Sequence, residues 1–307
     1  MVKLYNNFNI KKIHRGSIIL IGNFDGLHLG HQKLFKLAKE YKKKNNLKIG
    51  VINFDPMPKM FFNKSLKNFR LSNNIQKINS LKNLGVDFVI TKKFDKNFSR
   101  TKSINFIKNI LFKNVNAKFI FVSNNFKFGN KREGDVNLLI RNEKKYNFKV
   151  IKPKPLLIDK KIVSSSLIRS LLEKGNLSKA NKLLDRNWSI DGIVKKGRQV
   201  GKKIGFPTCN IDIKDYVLAK PGVYAVRVLK NRKSKKLKGI ANLGYRPTFN
   251  QRKILLEVHL FNFSGNLYNK YLSVEFLKFI RNEKKFKNIN QLKAQIKIDL
   301  KIAKKTK

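Results

Sequence analysis

Ile18-Ile19-Leu20-Ile21-Gly22-Asn23-Phe24-Asp25-Gly26-Leu27-His28-Leu29-Gly30-His31 is an apolar run that stops at a glycine, turns through polar residues and passes into helical spacing. Ile18 to Asn23 reads as a strand and Gln32 to Tyr41 as a helix. The alternation continues with a strand from Ile49 to Phe54 and a helix from Ile75 to Leu84. It goes on through a strand from Val86 to Ile90, a helix from Lys102 to Leu111 and a strand from Lys118 to Val122. Such a rhythm predicts a parallel sheet covered by crossover helices. Its ligand crevice is expected beyond the carboxyl ends of the strands.

The turn after the first strand has the chemistry of an anion site. Gly22, Gly26 and Gly30 let backbone amides come close to an anion, and the helix start adds unpaired N–H groups and a favourable dipole. His28 and His31 could donate to phosphate oxygens that gain charge during reaction. Zinc is the weaker reading, because no third and fourth ligand follow at metal-like spacing.

Beyond Val163 a helix carries Leu167, Ile168, Leu171 and Leu172 on one side. Gly175 reads as its stop, and Ser178 to Leu184 as a second short helix. From Trp188 the period becomes two, in Ile190–Val194, Val223–Val228, Leu255–Leu260 and Leu272–Phe276, which predicts a small barrel or sandwich. Leu292, Ile296, Leu300 and Ala303 return to helical spacing and predict a closing helix. The change of period places the boundary near residue 185, giving expected domains 1–185 and 186–307.

The chain has 307 residues, with 70 Lys and Arg against 18 Asp and Glu, a formal net charge of +52. It should repel itself at low salt and attract phosphorylated ligands. The lysines are spread through both halves, as at Lys42–Lys44, Lys92–Lys93, Lys195–Lys203 and Lys284–Lys287. That favours solvated lysines over a concentrated nucleic-acid surface. The lone Cys209 permits no internal disulfide and no thiolate metal cluster, which favours a reducing compartment. With no secretory pattern and no run of about 18 apolar residues, the expected location is the cytoplasm, without a membrane partner.

The stretch GNFDGLHLGH resembles the HxGH nucleotidyltransferases and, within them, the amino-terminal domain of the bacterial bifunctional riboflavin kinase and FAD synthetase family. The resemblance implies a role for His28 and His31 on the phosphates of ATP, with Gly22, Asn23, Phe24, Asp25 and Gly30 around them. Met57, in Phe54-Asp55-Pro56-Met57-Pro58, departs from the family's usual His, and a thioether cannot replace an imidazole donor. Asn124 to Gly129 and Gly134-Asp135 are similar to the flavin-side loop, implying flavin contacts for Asn125, Phe126, Phe128 and Asp135. There Ser123 stands where Gly is usual. Ser165, Ser166, Ile168 and Arg169 resemble the SSxxIR motif that surrounds pyrophosphate, while Ser164 and Ser165 fit its spacing.

In the second half, Gly197, Arg198, Gly201, Lys203, Gly205 and Pro207 suit a phosphate loop, and Thr208 and Asn210 offer oxygens to magnesium. This stretch resembles the riboflavin kinase signature with its PTxN unit. Period two places Glu257 and His259 on one face of their strand and Leu256, Val258 and Leu260 on the other. The resemblance implies that Glu257 is the base for the ribityl hydroxyl of riboflavin and that Arg281 lies near flavin and nucleotide. Asn282 replaces the usual Pro beside it. The implied ligands are riboflavin, FMN, FAD and ATP with Mg2+, and no nucleic acid is required. Monomer or weak self-association is expected. The rival expectations are a kinase with impaired FAD synthesis, from Met57 and Ser123, and a nucleic-acid-binding protein on an enzyme-like scaffold, from the charge alone.

Overall fold

The computed structural model describes residues 2–197, 201, 204–230, 236–248 and 251–306. They form two compact units, Met1–Lys67 with Asn74–Ser164, and Asn68–Asn73 with Ser165–Lys307.

The first unit is built on six parallel strands: β1 (Lys3–Tyr5), β2 (Ile18–Ile21), β3 (Ile49–Asp55), β4 (Phe88–Lys93), β5 (Phe119–Phe121) and, after the ribbon β6 (Lys127–Phe128) and β7 (Gly134–Asp135), β8 (Lys149–Ile151). Their order is β1-β4-β3-β2-β5-β8. Alternate residues of β2 serve two cores. Ile18 and Leu20 pack with Leu34, Phe35 and Ala38 of helix α1 (Leu29–Asn45). Ile19 and Ile21 pack with Phe106, Ile107 and Leu111 of the π-helical segment Phe106–Asn114. That explains why the run is apolar at every position. The chain steps from β2 to β3 and β4 in one direction and returns to place β5 on the other side of β2. A crevice therefore opens where the loops after β2 and β5 part.

The ribbon β9 (Leu157–Ile158) and β10 (Lys161–Ile162) precedes Val163. The second unit contains the helices Ser165–Glu173 and Leu177–Leu184 and a closed antiparallel barrel. Its strands are β11 (Ser189–Lys195), β12 (Cys209–Asp212), β13 (Gly222–Leu229), β14 (Leu237–Thr248), β15 (Gln251–Leu260) and β16 (Tyr271–Arg281), ordered β11-β12-β15-β14-β13-β16. Barrel closure, rather than an open sandwich, leaves no free sheet edge. The helix Ile289–Lys305 packs Leu300 and Ala303 against Val223, Ala225 and Ile240.

The contacts divide the chain at Ser164/Ser165, ahead of the change of period. The reason is packing: Asn181 donates to the Phe276 carbonyl of β16 at 3.1 Å and accepts from the Trp188 N–H at 2.8 Å. The short excursion Asn68–Asn73 joins the same unit. Phe69 and Arg70 both donate to the Asp215 carbonyl at 2.8 Å, and the Trp188 indole donates to the Leu71 carbonyl at 3.0 Å.

Candidate active sites

In the first unit the loop after β2 is held in an unusual conformation. Phe24, Gly26 and Leu27 all have positive φ, at 48°, 77° and 42°. Gly26 adopts this without strain; Phe24 and Leu27 do so against side-chain sterics, the kind of backbone found where a loop is shaped for a ligand. His28 caps α1, its Nδ1 accepting the His31 N–H at 3.4 Å. In the neutral ring this leaves the proton on Nε2. The two imidazoles stack with centroids 3.7 Å apart. Gly30 leaves this stack room, because a side chain there would press on the His28 ring and the Val163 carbonyl. Thus the residue before the serine run lies against the histidine turn.

Burial, then His28, then the Lys77 charge hold the His31 imidazole well below its ordinary pKa. Its Nδ1 and the Asn23 Oδ1 are buried without hydrogen-bond partners. Both are polar atoms a bound nucleotide can satisfy. Asp25 is buried in the same turn, and Gly22 leaves space for the Phe24 ring.

Beyond β3, β4 and β5 lies a cavity of about 320 Å3 walled by Phe54, Phe62, Phe94, Phe98, Phe126 and Phe128. Phe126 and Phe128 stack at 5.4 Å. Aromatic walls of this kind can pack against a planar ring. Asn125 is exposed, accepts from the Ser123 hydroxyl at 2.9 Å and does not line the cavity. Asp135 caps the helix Val136–Arg141 through the Leu138 N–H at 2.9 Å and pairs with Lys127. Burial leaves Met57 2% exposed.

Ser165 and Ser166 open their helix in the second unit, and Arg169 is buried one turn on. Its guanidinium lies 3.7 Å from the Phe69 ring centroid, and its Nε donates to the Phe69 carbonyl at 2.7 Å. The Asn68–Asn73 excursion therefore orients this arginine.

On the barrel, strand register places Glu257 between Asn210 of β12 and Asn242 of β14. With the Asn210 amide turned so that both ends find partners, Nδ2 donates to Glu257 Oε1 at 3.1 Å and Oδ1 accepts the Gly197 N–H at 3.3 Å. A side chain at Gly197 would collide with this amide, so glycine is needed there. Leu256 and Val258 are buried while Glu257 and His259 line a second cavity of about 320 Å3, as period two requires. Thr208, Asn210, Arg281 and Glu283 line it too. His259 Nδ1 is 2.8 Å from the Pro207 carbonyl and fixes the turn before Thr208. Arg281 makes a forked ion pair with the buried Asp299 of the closing helix, at 2.7 to 3.0 Å.

Gly201 folds against the Phe206 carbonyl and Thr208, and Gly205 has φ +92°. Arg198 and Lys203 lie outside the described residues. Pro207 and Thr208 also border a smaller apolar cavity of about 270 Å3, with Val194, Leu260, Phe263 and Tyr268. Thr208 is common to both cavities.

Family models for FAD synthetase and riboflavin kinase match residues 10–167 and 184–307. A bifunctional riboflavin kinase/FMN adenylyltransferase of Buchnera aphidicola from Schizaphis graminum is 42% identical over 97% of this chain and 96% of its own. The chain belongs to the bifunctional riboflavin kinase/FMN adenylyltransferase family. The family member of Escherichia coli K12 is 38% identical over 92% of this chain and 90% of its own. A crystal structure described as a macrolide-efflux protein from Streptococcus pneumoniae shares the fold, with TM-score 0.87 and 27% identity over 100% and 99% of the two chains. Among the described residues no helix is long and apolar enough to cross a membrane.

Within this family frame, the histidine turn and the phenylalanine cavity fall in the FAD synthetase part and the Glu257 cavity in the riboflavin kinase part. Sequence reading singled out Phe126 and Phe128 but missed Phe54, Phe62, Phe94 and Phe98. The available signal was their position at or beyond the carboxyl ends of β3 and β4. Asn242, Glu283 and Asp299 were also missed, since cross-strand register and helix docking alone bring them to Glu257 and Arg281.

Proposed function

We infer that the chain performs both reactions of its family, phosphorylating riboflavin to FMN and joining FMN to AMP from ATP to give FAD and pyrophosphate. The observation that carries the kinase reading is Glu257, placed by register between Asn210 and Asn242 on a cavity wall. The ribityl oxygen attacks the γ-phosphorus of ATP, the bond to ADP breaks, and Glu257 accepts the hydroxyl proton. Thr208 presents a neutral oxygen near that carboxylate, which fits magnesium shared with nucleotide phosphates and water, and Asn210 would join that donor set by turning its amide oxygen away from the Gly197 N–H. When bound with ATP, that ion supplies charge neutralisation on the phosphates. Arg281, held by Asp299, borders the flavin side, while Gly197, Gly201, Gly205 and Pro207, with Arg198 and Lys203, form the nucleotide loop.

For adenylyl transfer, a phosphate oxygen of FMN attacks the α-phosphorus and the bond to pyrophosphate breaks. His28 and His31 donate to the phosphates, His31 as a neutral imidazole, and Asn23 and the Gly22–Gly30 backbone line their path; the family resemblance assigns pyrophosphate to Ser165, Ser166 and Arg169. No covalent protein intermediate is needed; positioning and charge suffice. The phenylalanine cavity takes the flavin ring, with Asn125 and Asp135 at its approach. The functional limits are residues 1–185 and 186–307, and the site of action is the cytoplasm, where ATP is available to both halves.

Separate time courses of FMN and FAD from riboflavin, ATP and magnesium test this. Glu257→Gln should lower FMN formation by about a hundredfold to ten-thousandfold and spare FAD formation from supplied FMN. His31→Ala should do the reverse. Loss of both activities from either change would refute independent sites. A second reading, a kinase with weak FAD synthesis, is favoured by the buried Met57 thioether and by the Ser123 hydroxyl occupying Asn125. Robust FAD production from FMN and ATP would remove it.

A further inference from the structure

The cavity walled by phenylalanines has one charged side. Lys127, Lys131 and Arg132 line it, and no carboxylate among the described residues does. Lys127 is held by Asp135 at 3.3 Å, whereas Lys131 and Arg132 make no ion pair among the described residues. Both sit on the turn Asn130–Arg132 between β6 and β7, in left-handed backbone at φ 49° and 64°. A side chain there is sterically disfavoured, and glycine would adopt the same backbone freely. The turn is nevertheless pinned at both ends to one neighbouring segment. The Asn130 N–H donates to the Thr101 carbonyl at 2.8 Å, and the Glu133 carboxylate accepts the Ser103 N–H at 2.6 Å. Gly129 lies so close to Ser103 that a side chain there would collide with it. Strained positions of this kind persist where the surroundings over-determine them, and they gather at ligand clamps. A solvated surface lysine needs no such backbone, so the lysine excess of the chain does not account for this pair.

We propose that Lys131 and Arg132 read the phosphate of the flavin at the adenylyl-transfer site, so that FMN is taken in preference to unphosphorylated flavin. The proposal rests on the reading of the phenylalanine cavity as the flavin site of that reaction. FMN and riboflavin carry the same ring, and aromatic walls grip both equally. What separates them is a phosphate that is an anion at neutral pH. Specificity is a difference of affinities, so it has to come from groups that meet that anion. His31 is held neutral and Lys127 is already paired. Two unpaired cations on a fixed turn at the cavity wall supply charge-assisted donors, and the Arg132 guanidinium can take two phosphate oxygens at once.

Lys131→Gly combined with Arg132→Asn in the full chain removes both charges and leaves residues that accept left-handed backbone. Lys131→Arg keeps the charge. FAD formation is measured against the concentration of supplied FMN, with lumiflavin as competitive inhibitor. Lumiflavin has the same ring with a methyl group in place of the ribityl chain, so the kinase half cannot phosphorylate it. The double variant should raise the KM for FMN by about tenfold and leave the lumiflavin inhibition constant within about twofold. Riboflavin phosphorylation and thermal melting should match the unmodified chain, and Lys131→Arg should stay close to it in every measurement. An unchanged KM for FMN in the folded double variant would overturn the proposal. A parallel rise in both constants would also overturn it, making the turn a wall of the cavity rather than a reader of phosphate. Loss of folding would do the same, assigning the turn to the fold alone. Phe126→Ala run alongside separates the two ideas. If lumiflavin inhibits the unmodified chain and Phe126→Ala weakens that inhibition, the cavity reading stands whatever the cations do. If lumiflavin does not inhibit and Phe126→Ala leaves the KM for FMN unchanged, the cavity reading falls and takes the proposal with it.

Discussion

His31 is both a binding group and a source of pH-dependent stability. Its folded pKa lies well below the ordinary imidazole value, chiefly through burial. Below about pH 6.5 the unfolded chain takes up a proton that the folded chain refuses. Stability is therefore fully present above that pH and lost as pH falls through it, by up to about 1.4 kcal/mol per pH unit until the folded pKa is reached. Urea unfolding between pH 7.5 and 5 should show this slope, and His31→Gln should flatten it. Equal slopes in the two proteins would remove this account of His31. The histidine pair was legible in the sequence because its spacing in GLHLGH is local. Its neutral state was not, because that depends chiefly on how deeply the folded chain buries the ring, which local spacing does not show.

At the scale of elements, the barrel site depends on the closing helix as much as on its strands. Asp299 is buried and forks onto Arg281, and Gln295 donates to the same carboxylate at 2.9 Å. Removing one member of such a pair leaves a cation with its compensation gone. Asp299→Ala should therefore destabilise the barrel by about 3 kcal/mol and lower riboflavin kinase activity, while FAD formation from FMN persists. Denaturant unfolding followed by Trp188 fluorescence measures the first effect, and an unchanged midpoint would refute it. The period of β15 correctly separated Glu257 from the core, and helical spacing located the closing helix. Neither pattern could reveal the Arg281–Asp299 pair, which arises only when helix and strand dock. The phenylalanine cavity was hidden for the same reason, since its rings come from β3 and from the segments that follow β3, β4 and β5. The Asn68–Asn73 excursion escaped too: its partners, the Asp215 carbonyl, the Trp188 indole and the Arg169 guanidinium, lie more than ninety residues further along the chain, and no local spacing announces them.

The net charge of +52 acts over the whole molecule, and the substrates respond to it differently. FMN carries a phosphate whereas riboflavin is neutral, so a positive field should speed encounter with FMN and leave riboflavin nearly unaffected. At about 0.15 M salt the Debye length is about 8 Å, short enough to screen much of the attraction from dispersed lysines. With ATP saturating in both assays, raising salt from low to physiological strength should therefore reduce kcat/KM for FMN by several-fold. The value for riboflavin should change much less. This comparison separates steering from a general effect of salt on folding, which would lower both. It also separates steering from nucleic-acid recognition, because no polymer is present. Equal salt dependence for the two flavins would mean that the lysine excess contributes nothing to substrate capture.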